Sequence, residues 1–95
     1  MTYNLTFLKS AKKEWGKLTP SIQKQLKEKL SKRLDSPFIQ KDKLRGMRDC
    51  YKIKLRSSGY RLVYKVFEKR IVVQVIAIGK RSREAVYHLA RERLE

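Results

Sequence analysis

Residues 50–66 read CYKIKLRSSGYRLVYKV, with five basic side chains and no acidic one set between apolar residues. Alternation at period two puts Cys50, Lys52, Lys54 and Arg56 on one face of a strand and Tyr51, Ile53 and Leu55 on the other. A Ser-Ser-Gly turn then brings a second strand back alongside the first. With a loop of two or four residues, Arg61 and Lys65 join the lysine face while Tyr60, Leu62, Tyr64 and Val66 join the apolar one. A three-residue loop would set Leu62 and Tyr64 among the lysines, which the hydrophobic pattern disfavours. The stretch therefore reads as an antiparallel hairpin with one apolar and one basic face, and Lys52, Lys54 and Arg61 share a surface.

The flanking sequence supplies what covers the apolar face. Alternation over residues 3–7 predicts a short strand, and Leu8, Ala11, Trp15 and Leu18 recur at helical spacing over about 9–18. Thr19-Pro20 is a plausible N-cap and first helical residue, and Ile22, Leu26, Leu30 and Leu34 form one stripe until Ser36-Pro37 stops the helix. Its outer face carries Lys24, Lys27, Lys29 and Lys32, the usual pattern of a solvated helix surface. Residues 38–46 are polar, contain Arg45 and end in Gly46, and read as a loop. Strands are expected at about 49–56, 59–67 and 71–80, the last built on IVVQVIAIG. That run is about half of the roughly 20 apolar residues needed to cross a bilayer, so it reads as a buried strand. Ser82 can cap a final helix with Val86, Leu89, Ala90 and Leu94 on one face and Arg83, Tyr87 and Arg91 on another. The expected architecture is one α+β domain over 1–95: an N-terminal strand, a helical hairpin, a three-stranded antiparallel meander completing a four-stranded sheet, and a C-terminal helix. The hairpin packs on the apolar face, and the basic face is expected to stay open.

The 25 Lys and Arg residues against 9 Asp and Glu give a formal charge of +16 in 95 residues, more than solubility requires and pointing to a polyanionic partner. Like charges on neighbouring sheet positions repel by about 1–3 kcal/mol per close pair, so stability does not account for the hairpin's cations. Either that face is simply solvated with its charges spread apart, or it is a platform for phosphate; the lack of local acids favours the platform. Crowding also lowers lysine pKa values, which suits a lysine to act as a base. Other chemistries are poorly supplied. His88 is the one histidine, which excludes a two-histidine ribonuclease, and paired carboxylates for two-metal chemistry are missing from the strand region. Cys50 is the one cysteine, which excludes an intrachain disulfide or a cysteine metal cluster and reads as a small buried residue. No Walker sequence or zinc spacing is present, and no metal or cofactor is expected. The N-terminus lacks the pattern of a secretory signal, which fits a cytoplasmic protein without a membrane partner.

The stretches KLRGMRDCYKIKLRSSGYRLVY and VIAIGKRSREAVY resemble the RelE family of bacterial type II toxins, which cleave messenger RNA on the ribosome. The resemblance joins a Leu-Arg-Gly loop, a Tyr-Lys-Ile-Lys strand, a Gly-Tyr-Arg strand and a Gly-Lys-Arg ending with a downstream tyrosine. It implies a catalytic set of Lys52, Lys54, Arg61, Arg81 and Tyr87, with Arg45, Arg56, Lys80 and Arg83 as RNA-binding neighbours. The implied reaction is attack of a ribose 2′-hydroxyl on the adjacent phosphate, leaving a 2′,3′-cyclic phosphate and a 5′-hydroxyl. In that reaction Lys52 and Lys54 suit proton acceptance or phosphate holding, and Arg61 suits bracing of the developing charge. Arg81 would stabilise the leaving oxygen and Tyr87 would stack on or orient a base. The partners implied are mRNA, the 30S A site with its 16S rRNA, and a RelB-like antitoxin that wraps the toxin and masks or distorts its basic surface; operator DNA would be met only through the toxin–antitoxin complex, and displacement of the last helix by the antitoxin is our own expectation. Two other functions fit the same basic surface: a non-catalytic ribosome-binding or nucleic-acid-binding module, and gyrase inhibition as in the related ParE toxins.

Overall fold

The computed structural model describes residues 2–80 and 85–94. Among these, the chain runs through strand β1 (Asn4–Phe7), helices α1 (Lys9–Gly16) and α2 (Pro20–Asp35), strands β2 (Cys50–Lys54), β3 (Tyr60–Phe67) and β4 (Val72–Lys80), and helix α3 (Ala85–Leu94). The expected start of α2 is met: Thr19 is extended, its hydroxyl accepts the Ile22 N–H at 3.4 Å, and Pro20 opens the helix. Its stripe buries Leu26 and Leu30, with Ile22 and Leu34 packed at the margin. The expected Ser82 cap of α3 lies outside the described residues.

The sheet has the order β1-β4-β3-β2, with β1 parallel to β4 and the other pairs antiparallel. The helical hairpin carries the chain from β1 to β2 at the far edge, and the β2–β3–β4 meander returns it, so that β4 can lie parallel to β1. Leu55 donates its N–H to Tyr60 O at 2.9 Å, leaving 56–59 as the β2–β3 loop. Its even length sets Ile53 opposite Leu62 and Lys54 opposite Arg61, in the register that the apolar pattern demands.

One irregularity decides what lies on each face. Val63 pairs with Ala77 but Tyr64 pairs with Val75, so Ile76 is an extra residue in β4. This bulge resets the alternation. Val73, Val75 and Ile78 face the helical hairpin with Leu26, Leu30, Ile53, Leu62 and Tyr64, whereas Ile76 and Ala77 both join a second core on the opposite face. That second core also holds Leu44, Met47, Cys50, Val63, Val86 and Ala90. The basic face is thus not left wholly open: α3 packs on β3 and β4 and covers part of it. Nor is 38–46 a plain polar loop. It carries a 3-10 turn at Gln40–Asp42, a bridge from Lys43 to Tyr51, and the buried side chain of Leu44, which with Met47 just beyond the segment extends the second core beside α3.

β1 ends at Phe7, so the β4 edge beyond Val75 needs other partners. Glu14 of α1 accepts the Ile78 N–H at 3.0 Å, while Arg93 of α3 donates to Ile76 O at 2.7 Å. The two side chains also pair with each other at 2.8 Å, tying the helices on opposite faces around the sheet edge. α3 sits so close that a Cβ on Gly79 would lie 2.8 Å from Val86 Cγ2.

Two stability changes follow. Gly79→Ala is expected to destabilise the fold by about 1–3 kcal/mol through overpacking against Val86, and Val86→Ala in the same chain should return part of the loss in a urea titration. Glu14→Ala should lower stability by about 1–3 kcal/mol, because the Ile78 N–H and the Arg93 guanidinium lose their shared acceptor; the same titration measures it.

Candidate active site

The pairing of β2 with β3 arranges the cations in rows. Lys54 stands opposite Arg61, Lys52 opposite Val63, and Cys50 opposite Lys65. Val63 and Cys50 lie beneath the second core, so Lys52 emerges at the border between the covered and open parts of this face. Helix α3 buries Val86 and Ala90 there, and their spacing turns Tyr87 toward β2. The Lys52 ammonium lies 6.0 Å from the centre of the Tyr87 ring, near the limit of a cation–π contact.

Lys52 and Tyr87 border a cleft of about 350 Å³, with Lys43, Arg45, His88 and Arg91 around it and Leu44 and Met47 at its base. None of these lining side chains is acidic. Arg45 is exposed on the Leu-Arg-Gly turn, where Gly46 takes φ +74°, and its carbonyl accepts a bond from Arg91 at 3.4 Å. Lys54 lies in an adjoining recess of about 180 Å³ bordered by Lys29, Arg33, Lys41, Asp42 and Arg56. Its pKa is held below the ordinary lysine value, first by the charge of Lys52, then by desolvation and by Arg61, against a weaker opposing pull from Asp42. Arg61 is folded back on its own turn, donating to Gly59 O and Tyr60 O at 3.3 Å each.

The structure therefore gathers Lys52, Lys54, Arg61 and Tyr87 around one corner, with Arg45 across the cleft and Arg56 across the recess. Lys80 does not join them. The bulge places it opposite Tyr60 on the hairpin side of the sheet, with its ammonium 5.6 Å from the Tyr60 ring. Arg81 and Arg83 lie outside the described residues. Cys50 is fully buried, and burial pushes its thiol up to about 11, so it is not an activated nucleophile. Lys43 and His88 went unnoticed as cleft residues in the sequence, because a lone loop lysine and a lone helix histidine carry no spacing signal.

Residues 5–85 match the family model of the ParE toxin of type II toxin–antitoxin systems. Over 94 residues the chain is 56% identical to the mRNA interferase toxin RelE of Escherichia coli K12 and to the mRNA interferase RelE of Shigella flexneri, covering 99% of both partners in each comparison. The chain belongs to the RelE family of type II toxins. The RelE fold is matched along the whole chain: the free R81A/R83A variant of E. coli RelE superposes with a TM-score of 0.92 at 54% identity, covering 100% of both chains. RelE in the intact E. coli RelBE toxin–antitoxin complex matches with a TM-score of 0.82 at 58% identity, over 85% of this chain and 99% of that one. No helix among the described residues is long and apolar enough to cross a membrane.

The crowding at this corner is directly testable. In Lys52→Met the neighbouring positive charge is gone, which favours the protonated form of Lys54, so the Lys54 amine should titrate at higher pH than in the wild type. Side-chain NMR of Lys54 reads this, and an unchanged titration would mean that Lys52 does not set its charge state.

Proposed function

We propose that this chain is the toxin of a type II toxin–antitoxin pair and acts as an endoribonuclease on mRNA in the ribosomal A site. The observation that carries the reading is the juxtaposition of Lys52 with the Tyr87 ring, beside a Lys54 whose pKa is lowered first by the charge of Lys52 and an Arg61 facing it across the strands. Full-length identity to proteins named mRNA interferase RelE supports it.

In the proposed reaction the 2′-oxygen bonds to the adjacent phosphorus as the bond from phosphorus to the 5′-oxygen breaks. The 2′-proton passes to a lysine amine, for which Lys54 is suited by its crowding, with Lys52 holding a phosphate oxygen. Arg61, released from its turn carbonyls, braces the charge that develops on the other phosphate oxygens. Arg81 stabilises the leaving 5′-oxygen and supplies its proton, and Tyr87 stacks on a base. Arg45 and Arg56 hold flanking phosphates, as does Arg83. The described site contains no strong acid and no metal-binding cluster of His, Cys, Asp and Glu, so the account leans on alignment of the substrate by the ribosome. Alignment of this kind can supply roughly 7–11 kcal/mol.

The other partners follow the same reading: a RelB-like antitoxin masks the basic surface by displacing α3, operator DNA is met only through that complex, and the chain works as one domain in the cytoplasm. The RelBE structure supports the antitoxin as partner.

Lys54→Ala is expected to reduce cleavage of ribosome-bound message by about 10²–10⁴-fold while ribosome binding, measured by co-sedimentation, is retained. Parallel loss of binding and cleavage would favour a module that only grips RNA, and trapping of gyrase on DNA would favour the ParE-like activity.

A further inference from the structure

Arg33 is placed where a helix surface usually carries a solvated cation, yet its guanidinium is largely covered. It lies in the last turn of α2, three residues beyond the buried Leu30, and its side chain is only 16% exposed. From there it reaches three groups on different segments. It donates to the Lys52 carbonyl at 3.1 Å, to the Tyr64 hydroxyl at 3.0 Å, and to Asp42 Oδ2 at 2.6 Å. Tyr64 in turn donates to Pro37 O at 2.7 Å, so it is held in place without Arg33.

Asp42 is the acidic member of the recess that holds Lys54. Lys54 meets cations from every neighbouring segment: Lys52 on its own strand, Arg61 on β3, Lys29 and Arg33 on α2, Lys41 on the 3-10 turn and Arg56 on the β2–β3 loop. A carboxylate in such company pairs with whichever cation is best placed. A planar guanidinium with several donors in a fixed fork holds a carboxylate better than a flexible ammonium.

We infer that Arg33 is a positioning residue of the cleavage site: by holding the Asp42 carboxylate and the Lys52 carbonyl, it keeps Asp42 from pairing with Lys54 and leaves the Lys54 amine available for the reaction. The inference rests on the reading of Lys54 as a reacting group. Arg33 touches no substrate in this account and acts through Asp42.

The test separates this role from support of the fold. Arg33→Met keeps the apolar stem over Tyr64 and removes the clamp. Lys54, followed by side-chain NMR of the full chain, should then titrate higher; each unit of rise reduces the free amine about tenfold at a given pH. Cleavage of ribosome-bound message at neutral pH should fall by about the same factor in kcat, with KM unchanged, and the pH–rate profile should move upward. Arg33→Met with Asp42→Asn should restore both the titration and the rate. An unshifted Lys54 in Arg33→Met, or a double variant as impaired as the single one, overturns the inference.

Asp42→Asn alone provides a second arm that does not depend on the fold surviving loss of Arg33. Lys54 should titrate almost as in the wild type, and a fall of a full unit would show that Asp42 already pairs with it, which also overturns the inference. The NMR readings need no activity, so they stand apart from a failure of the cleavage reading, which would appear as unimpaired cleavage by Lys54→Ala.

Discussion

A single extra residue in β4 lets one small sheet bury apolar side chains on both faces. Before Ile76 the strand sends Val73 and Val75 toward the helical hairpin; after it, Ile78 faces the hairpin again and Gly79 faces α3. In an unbulged β4 the alternation beyond Val75 would exchange these positions, setting Ile78 against a helix that already crowds a glycine. α3 could not then approach closely, and Tyr87 would lose its place over Lys52. The Glu14–Arg93 pair completes the arrangement by engaging Ile76 O and Ile78 N on the edge that β1 does not reach. Position of the site thus descends from a backbone irregularity, through close helix packing, to one ring beside one ammonium.

Electrostatics then divides the molecule. The two described ion pairs, Arg33–Asp42 and Arg93–Glu14, engage carboxylates with arginines at the margins of the basic face. Neither neutralises Lys52, Lys54 or Arg61. A surface selected for stability would set acids among these cations, since opposite charges across strands favour pairing. Leaving them crowded favours an anionic ligand instead and lowers the tendency of Lys54 to hold its proton, which links the charge pattern to both binding and chemistry.

The hairpin and its register were legible in the sequence because a one-residue slip would have mixed Leu62 and Tyr64 with lysines. The start of α2 was legible because Thr19-Pro20 carries a local capping mechanism. By contrast, the bulge was hidden in IVVQVIAIG: a run apolar on both faces holds no alternation to break. The second core was hidden for a related reason, as Leu44 and Met47 sit singly among polar residues and acquire meaning only when α3 lies beside them. The resemblance places Lys80 on the RNA surface, whereas the bulge sets it opposite Tyr60 on the hairpin side of the sheet. The clamp by Arg33 joins residues 31 positions apart, Arg33 and Tyr64, and no helical or strand period connects them.

The central claim is that this corner becomes an RNA-cleaving site when a larger machine aligns the strand. The most direct measurement is end-mapping of a message incubated with the purified protein, once on programmed ribosomes with an empty A site and once free, with chemical identification of the new ends. The account predicts cuts within the A-site codon on ribosomes, carrying 2′,3′-cyclic phosphate and 5′-hydroxyl ends, with little cleavage of the free message. Equal cleavage of free and ribosome-bound message, or no cuts while the folded protein still binds ribosomes, would contradict it.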